Sequence, residues 1–283
     1  MPLAEGPVLN PDELYQLTRS LDWSEYLSPD RTLAVDCNLR DSNITHSQYA
    51  ARRVKDAICD QFRDRTGRRP SVNTEMPTIP INLHIHRNHA VLSLDSSWIS
   101  LHKRGYRPIQ TRAPLNEALA AGLLLHLGFT GNEPLYDPMC GSGTFPIEAA
   151  WIATGRPPGL TRRWFGFFGW PQFDKSVWSA IRENARKQIR SNPEFAIAGS
   201  DLHHDASEMA RENAKTAGVG HCITLMQKDL SATRPPPGPP GLIICNPPYG
   251  ERLGEEEELE EVYGSLGEVV AGCWRGWRLA VFT

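Results

Sequence analysis

The most specific chemistry in the 283-residue chain lies in Asn246-Pro247-Pro248-Tyr249, directly after the apolar run Leu242–Cys245. Two successive prolines hold the backbone extended and, lacking N–H groups, leave nearby carbonyls without an internal partner. The Asn246 amide oxygen and the Pro247 carbonyl can therefore both accept hydrogen bonds from one amino group. Tyr249 offers a flat ring on which a planar substrate can stack. A second signal, Asp137-Pro-Met139-Cys140-Gly141-Ser-Gly143-Thr144, sits between a strand-like and a helix-like run. Gly141 and Gly143 let the backbone approach a ligand with no Cβ in the way. Phe145 and Pro146 stand where a dinucleotide fingerprint needs its third glycine, and no Gly-Lys-Ser/Thr ends the loop as in a P-loop. The next strand-like run ends in Asp201 and the one after in Asp229. Acids at successive strand tips beyond a glycine loop suit a nucleoside, the first receiving two ribose hydroxyls.

These residues need a scaffold, and the periodicity supplies one. From residue 114 onward, helices are expected at 114–127, 144–154, 174–190, 204–217 and 256–274, with strands at 134–137, 196–201, 222–227, 242–246 and 278–282. Pro114 reads as the first helical residue. This alternation indicates a doubly wound α/β sheet of parallel strands. Before residue 96, helices at 11–21 and 46–65 and strands at 32–38, 79–86 and 90–95 describe a small α+β module. Arg87-Asn88-His89 reads as its hairpin turn, and residues 96–113 as a basic linker.

The formal net charge of −3 conceals an uneven distribution. Residues 1–39 carry −5, residues 40–112 carry +7, and residues 113–283 carry −5. A basic middle segment is the footprint a polyanion partner requires. Six cysteines without a C-x-x-C pair read as reduced thiols of a cytoplasmic protein, with neither a disulfide framework nor a zinc site. His84 and His86 alternate with Ile81, Leu83 and Ile85, which places them on the wet face of a strand, and no metal site is expected. No stretch approaches 18 consecutive apolar residues, so no membrane-spanning helix is expected. The aromatic run Trp164, Phe165, Phe167, Phe168 and Trp170 admits base stacking, a pocket rim, or a loop folded as core.

Together the motifs resemble the class I S-adenosylmethionine-dependent amino-methyltransferases, and more closely the bacterial THUMP-domain RNA guanine-N2 methyltransferases that act on 23S ribosomal RNA. The resemblance runs over nearly the whole chain. It is carried by Leu101-His-Lys-Arg-Gly-Tyr-Arg107, Ala113-Pro-Leu-Asn-Glu117, Asp137–Thr144 with Ile147-Glu-Ala-Ala150, Trp164–Trp170, Ser200-Asp201, Lys228-Asp229 and Asn246-Pro-Pro-Tyr-Gly-Glu-Arg-Leu253. It implies a partial THUMP-type domain over 1–95 and a Rossmann-like methyltransferase domain over 114–283. The cofactor implied is S-adenosylmethionine. Its methionine part would lie among Asp137, Met139, Cys140, Gly141, Gly143 and Thr144, its ribose at Asp201 and its adenine edge at Asp229. Asn246, Pro247 and Tyr249 would receive the target guanine, flipped from its stack. The family's sheet continues past the fifth strand and its RNA-binding region begins further upstream, so the chain reads as a piece truncated at both ends.

The basic segment then has an expected use. Arg52, Arg53 and Lys55 on a helix, and Lys103, Arg104 and Arg107 in the linker, would hold RNA phosphates. Three other readings stay open. A protein-glutamine methyltransferase shares the Asn-Pro-Pro-Tyr tetrad, although the basic module argues against it. An N6-adenine methyltransferase of DNA or RNA shares it too. A non-catalytic RNA-binding fragment is the third, and titration with S-adenosylmethionine separates it from the enzymes.

Overall fold

The computed structural model describes residues 1–107, 115–247 and 256–283. The chain forms two units, Met1–Ser100 with Arg163–Ser176, and Leu101–Arg162 with Val177–Thr283.

The first unit is a five-stranded sheet in the order β1-β5-β4-β2-β3, backed by two helices. Its strands are β1 (Pro2–Pro7), β2 (Thr32–Arg40), β3 (Ser71–Val72), β4 (Ile79–His86) and β5 (His89–Leu94). Helix α1 (Pro11–Arg19) starts where the Asn10 side chain accepts from the backbone N–H groups of Asp12 and Glu13, with proline at its first turn. Helix α2 (Ser47–Thr66) buries Ala50, Val54, Ile58 and Phe62 at four-residue spacing and ends on Gly67 at φ 69°. These side chains pack on Leu33, Ile79, Ile81, Leu83, Ile85, Ala90 and Leu92. His84 falls on the exposed face, as the alternation requires. Strands β1 and β3 were not expected from the sequence. Pro2, Gly6 and Pro7 are poor strand formers, and β1 exists because its backbone pairs antiparallel with β5.

The segment 163–176, expected inside the second domain, belongs to the first unit. The Phe167 N–H donates to Ser96 O at 3.2 Å, and Arg31 donates to Gly169 O at 2.7 Å. A Cβ at Gly169 would lie 1.8 Å from Thr78 O, so only glycine permits this approach. The aromatic run is therefore packed, with the Phe165 and Phe167 rings stacked at 5.2 Å.

The second unit holds β6 (Leu135–Asp137), β7 (Ile197–Asp201), β8 (Ile223–Gln227), β9 (Leu242–Cys245) and β10 (Arg278–Val281), all parallel, in the order β10-β9-β6-β7-β8. Helix α3 (Glu117–His126) precedes β6, and α4 (Thr144–Thr154), α5 (Lys175–Lys187), α6 (His204–Thr216) and α7 (Glu256–Cys273) lie between successive strands. Pro114 lies outside the described residues, and α3 begins at Glu117 because the Asn116 side chain caps Leu119 N at 3.0 Å. On one sheet face Leu135, Ile197, Leu242 and Ile244 pack with Phe145, Ile147 and Trp151. On the other, Tyr136, Ala198 and Ile243 pack with Trp274. Burial on both faces explains why β9, Leu-Ile-Ile-Cys, is an apolar run without polar alternation, whereas the edge strands β8 and β10 are partly exposed. Among the described residues no helix is long and apolar enough to cross a membrane, and no group of three His, Cys, Asp or Glu side chains is placed to hold a metal ion.

Candidate active site

The order β10-β9-β6-β7-β8 reverses direction between β6 and β9, and ligands of open parallel sheets bind beyond the carboxyl ends of the strands at such a point. Asp137 ends β6, Asp201 ends β7, Asp229 follows β8 and Asn246 follows β9. Neighbouring strands are about 4.8 Å apart, so Asn246 and Asp201 flank Asp137 across roughly 10 Å of sheet edge.

The glycine loop is held by its surroundings. Gly141 (φ 51°) donates its N–H to Asp201 Oδ2 at 2.9 Å, and a Cβ built there would meet nothing within 4 Å. This is open backbone against which a ligand can lie. Cys140 N donates to Ser200 O at 2.9 Å, tying the loop to β7. Gly143 (φ 82°) caps α4, and Ala210 Cβ would be 3.0 Å from a Cβ added there. Asn213 Nδ2 donates to Ser142 O at 2.9 Å while its Oδ1 is buried without a partner among the described residues. Asn213 was not singled out in the sequence. Its signal is the small-residue face Ala210, Ala214 and Ala217 beside it, which lets α6 approach the loop.

The acids differ sharply. Asp137 is buried, and loss of hydration pushes its carboxyl well above the usual range, opposed by the Met139 N–H it accepts at 3.1 Å and reinforced by nearby Asp201. Asp201 also accepts from His203 N at 3.0 Å. Asp229 is exposed and accepts from the Ser231 hydroxyl and N–H, which hold its carboxyl below the usual range and make it the cap of a short turn. Burial pushes the Cys140 thiol up, so it is no nucleophile at neutral pH.

On the other side of β6, Asn246 is half-buried, and its Oδ1 is buried with no hydrogen-bond partner among the described residues. Pro247 is buried beside it. Tyr249, with Pro248 and the Gly-Glu-Arg-Leu extension, lies outside the described residues.

The basic residues require correction. Arg104 and Arg107, expected to face RNA, turn inward, with side chains 13% and 7% exposed. Arg104 Nε is 3.5 Å from Glu148, which also accepts from the Tyr106 hydroxyl at 3.2 Å. Arg107 bonds Thr144 Oγ1 and Leu115 O and lies 3.7 Å from Glu117. Charged residues enter a core when paired, and these pairings span stretches of sequence over which no local pattern acts. On α2, Arg53 pairs with Asp12 at 2.6 Å and lies over the Tyr15 ring, and Lys55 pairs with Asp56. Arg65 and Arg68 pair with Asp22 and Asp30. The acidic first segment thus pairs with three of the basic residues of the middle one, Arg53, Arg65 and Arg68. Arg52 and Lys103 are exposed.

An open parallel sheet with a glycine loop, an acid at the next strand tip and an Asn-Pro pair across the reversal point defines a class I methyltransferase core. The comparisons bear this out. Residues 104–283 match the RMKL-like methyltransferase domain family and residues 9–95 match the THUMP domain. The chain belongs to the RMKL-like methyltransferase family, and its cofactor is S-adenosylmethionine. It is 43% identical to "Putative RNA methyltransferase slr0064" of Synechocystis sp. over all of this chain and 73% of that one. It is 46% identical to the "Ribosomal RNA large subunit methyltransferase K/L" of Syntrophotalea carbinolica, spanning 41% of that longer protein. The crystal structure of SMU.472 complexed with SAH is 30% identical, with TM-score 0.87, over 99% of this chain and 74% of that one.

Proposed function

We propose that the chain methylates the exocyclic N2 amine of a guanine in RNA, with ribosomal RNA as the substrate class. The observation that carries this reading is the buried Oδ1 of Asn246, which follows β9, the strand paired with β6, and which has no hydrogen-bond partner among the described residues. A buried acceptor without a partner is costly, so its presence is explained by a donor that arrives from outside. An amino group is such a donor.

The cofactor supplies an electrophilic methyl group on a sulfonium, whose departure needs little acid–base help. The open backbone at Gly141 fits it, with Asp137 and Asp201 on either side. Asp137, whose carboxyl burial pushes well above the usual range, would have its charged form favoured by a neighbouring ammonium and so bind the methionine end. Asp201 would hold the ribose hydroxyls and Asp229 the adenine edge. Asn246 Oδ1 and the Pro247 carbonyl would align the N2 amine and draw on its protons, building electron density on a nitrogen otherwise delocalised into the ring. Tyr249 would stack on the flipped base. RNA phosphates would meet the exposed Arg52 and Lys103, together with Arg53 and Lys55 if their acidic partners yield. The names of the relatives, which describe RNA and ribosomal RNA methylation, support the substrate class.

The experiment is nucleoside mass spectrometry of unmodified ribosomal RNA after incubation with the chain and S-adenosylmethionine. N2-methylguanine is expected. N6-methyladenine would shift the assignment to the adenine reading, and methylation of a glutamine-bearing protein in place of RNA would refute both.

A further inference from the structure

Gly141 and Gly143 confer no shape of their own on the loop, so its conformation must be imposed by neighbours. Three side chains do so. Asp201 takes the Gly141 N–H, Asn213 takes Ser142 O, and Arg107 takes the Thr144 hydroxyl. Arg107 differs from the others because it precedes α3 in the chain rather than coming from the strand or helix after the loop. Its Nη2 donates to Thr144 Oγ1 and, at 2.8 Å, to Leu115 O, while Nη1 lies 3.7 Å from Glu117 Oε1. Thr144 is the first residue of α4, directly after Gly143, and is 4% exposed. A planar guanidinium spanning these groups joins the start of α3 to the loop-to-helix junction, a geometry that a lysine ammonium cannot reproduce.

We propose that Arg107 is a positioning residue for cofactor binding: through Thr144 Oγ1 it fixes the end of the glycine loop in the shape that receives the methionine part of S-adenosylmethionine, without touching the cofactor. Thr144, expected from the sequence to contact the cofactor, acts here as the link between Arg107 and the loop. The inference rests on reading the glycine loop as the cofactor cradle.

The test is calorimetric titration of S-adenosylhomocysteine into the full chain, with the melting temperature of each variant recorded. Arg107→Ala and Arg107→Lys are expected to weaken binding about tenfold, the scale of a lost charge-assisted hydrogen bond. Thr144→Val removes the acceptor at nearly constant shape and should match Arg107→Ala. Thr144→Ser keeps the oxygen and should stay within about twofold of the unsubstituted chain. The double variant Arg107→Ala/Thr144→Val should bind no more weakly than either single one, because both break the same link. A further loss from Arg107→Ala in the Thr144→Val background would mean direct contact with the ligand and would overturn the proposal. So would a lowered melting temperature with unchanged affinity, or Thr144→Ser behaving like Thr144→Val. If Arg107→Ala fails to fold, Arg107→Lys compared alone and in the Thr144→Val background still decides, since loss in the first and none in the second is expected only when Arg107 acts through Thr144. Absence of binding by the unsubstituted chain would overturn the cradle reading as well.

Discussion

Asp201 and Asn246 stand at strand tips on either side of β6, and they are left in opposite states. Both Asp201 oxygens already accept backbone N–H groups, from Gly141 and His203. The Asn246 Oδ1 is buried and accepts from none of the described residues. The first side of the site is built by internal hydrogen bonds and keeps its shape alone. The second holds a buried polar atom without a partner among the described residues, the place the proposed function gives to the substrate amine. On the proposed function, preorganisation for the cofactor and readiness for an amine are separated across a single strand.

Asn246→Ala tests this contrast most severely. Methyl transfer should fall about 100- to 1,000-fold, the range seen when a group aimed at a transition state is removed. The melting temperature should hold or rise slightly, since the substitution deletes an unsatisfied buried acceptor. A protein that melts markedly earlier would show that Asn246 serves the fold.

Asp201→Ala should do the reverse in kind. It strips the part-buried Gly141 N–H of its acceptor, at about 1–3 kcal/mol at most, while water can replace it at the exposed His203 N–H. Chemical denaturation should record the loss of stability, and S-adenosylhomocysteine titration a weaker affinity.

Glu148 sharpens the comparison from the core. Burial raises its pKa to about 7 against the opposing pull of Arg104 and the Tyr106 hydroxyl. Between the ordinary carboxyl value of 4.5 and about 7, the folded state therefore holds a proton that the unfolded state has released. The contribution to stability is fully present below pH 4.5 and is lost as pH rises through 7. Glu148→Gln should flatten this part of the melting-temperature profile between pH 5 and 8, measured as the difference from the unsubstituted chain. An unchanged difference across that range would refute it.

The smallest effect belongs to Arg68→Ala. This residue pairs with Asp30, both side chains being mostly exposed. The loss should stay below about 1 kcal/mol and shrink further with added salt.

Legibility in the sequence followed the range of the interactions. The apolar alternation of Ile79, Ile81, Leu83 and Ile85 makes β4 readable at its observed bounds, Ile79–His86. The glycines before Thr144 and at Gly155 likewise mark both ends of α4. The acids after β7 and β8 could be placed because strand tips are local features. β1 could not, since only its pairing with β5 makes it a strand. Nor could the inward turn of Arg104 and Arg107. Their partners Glu148 and Glu117 are distant or lie across a segment with no periodic signal, and composition assigns arginine to the surface. The +7 of the middle segment was a true count, but its meaning changed once Asp12, Asp22 and Asp30 folded against it.

The three-residue strand β6 has a consequence for how the molecule assembles. It has no hairpin neighbour: one edge waits for Ile197 and the other for Leu242, while β4 and β5 of the first unit close over Arg87-Asn88. Loop-closure entropy must be met before such remote pairings contribute, so this sheet is expected to form late in folding. In refolding from denaturant, protection of β6 amides from hydrogen exchange should lag behind that of β4 and β5. The strand that ends in the most buried acid of the site is therefore expected to be among the last to acquire both of its neighbours.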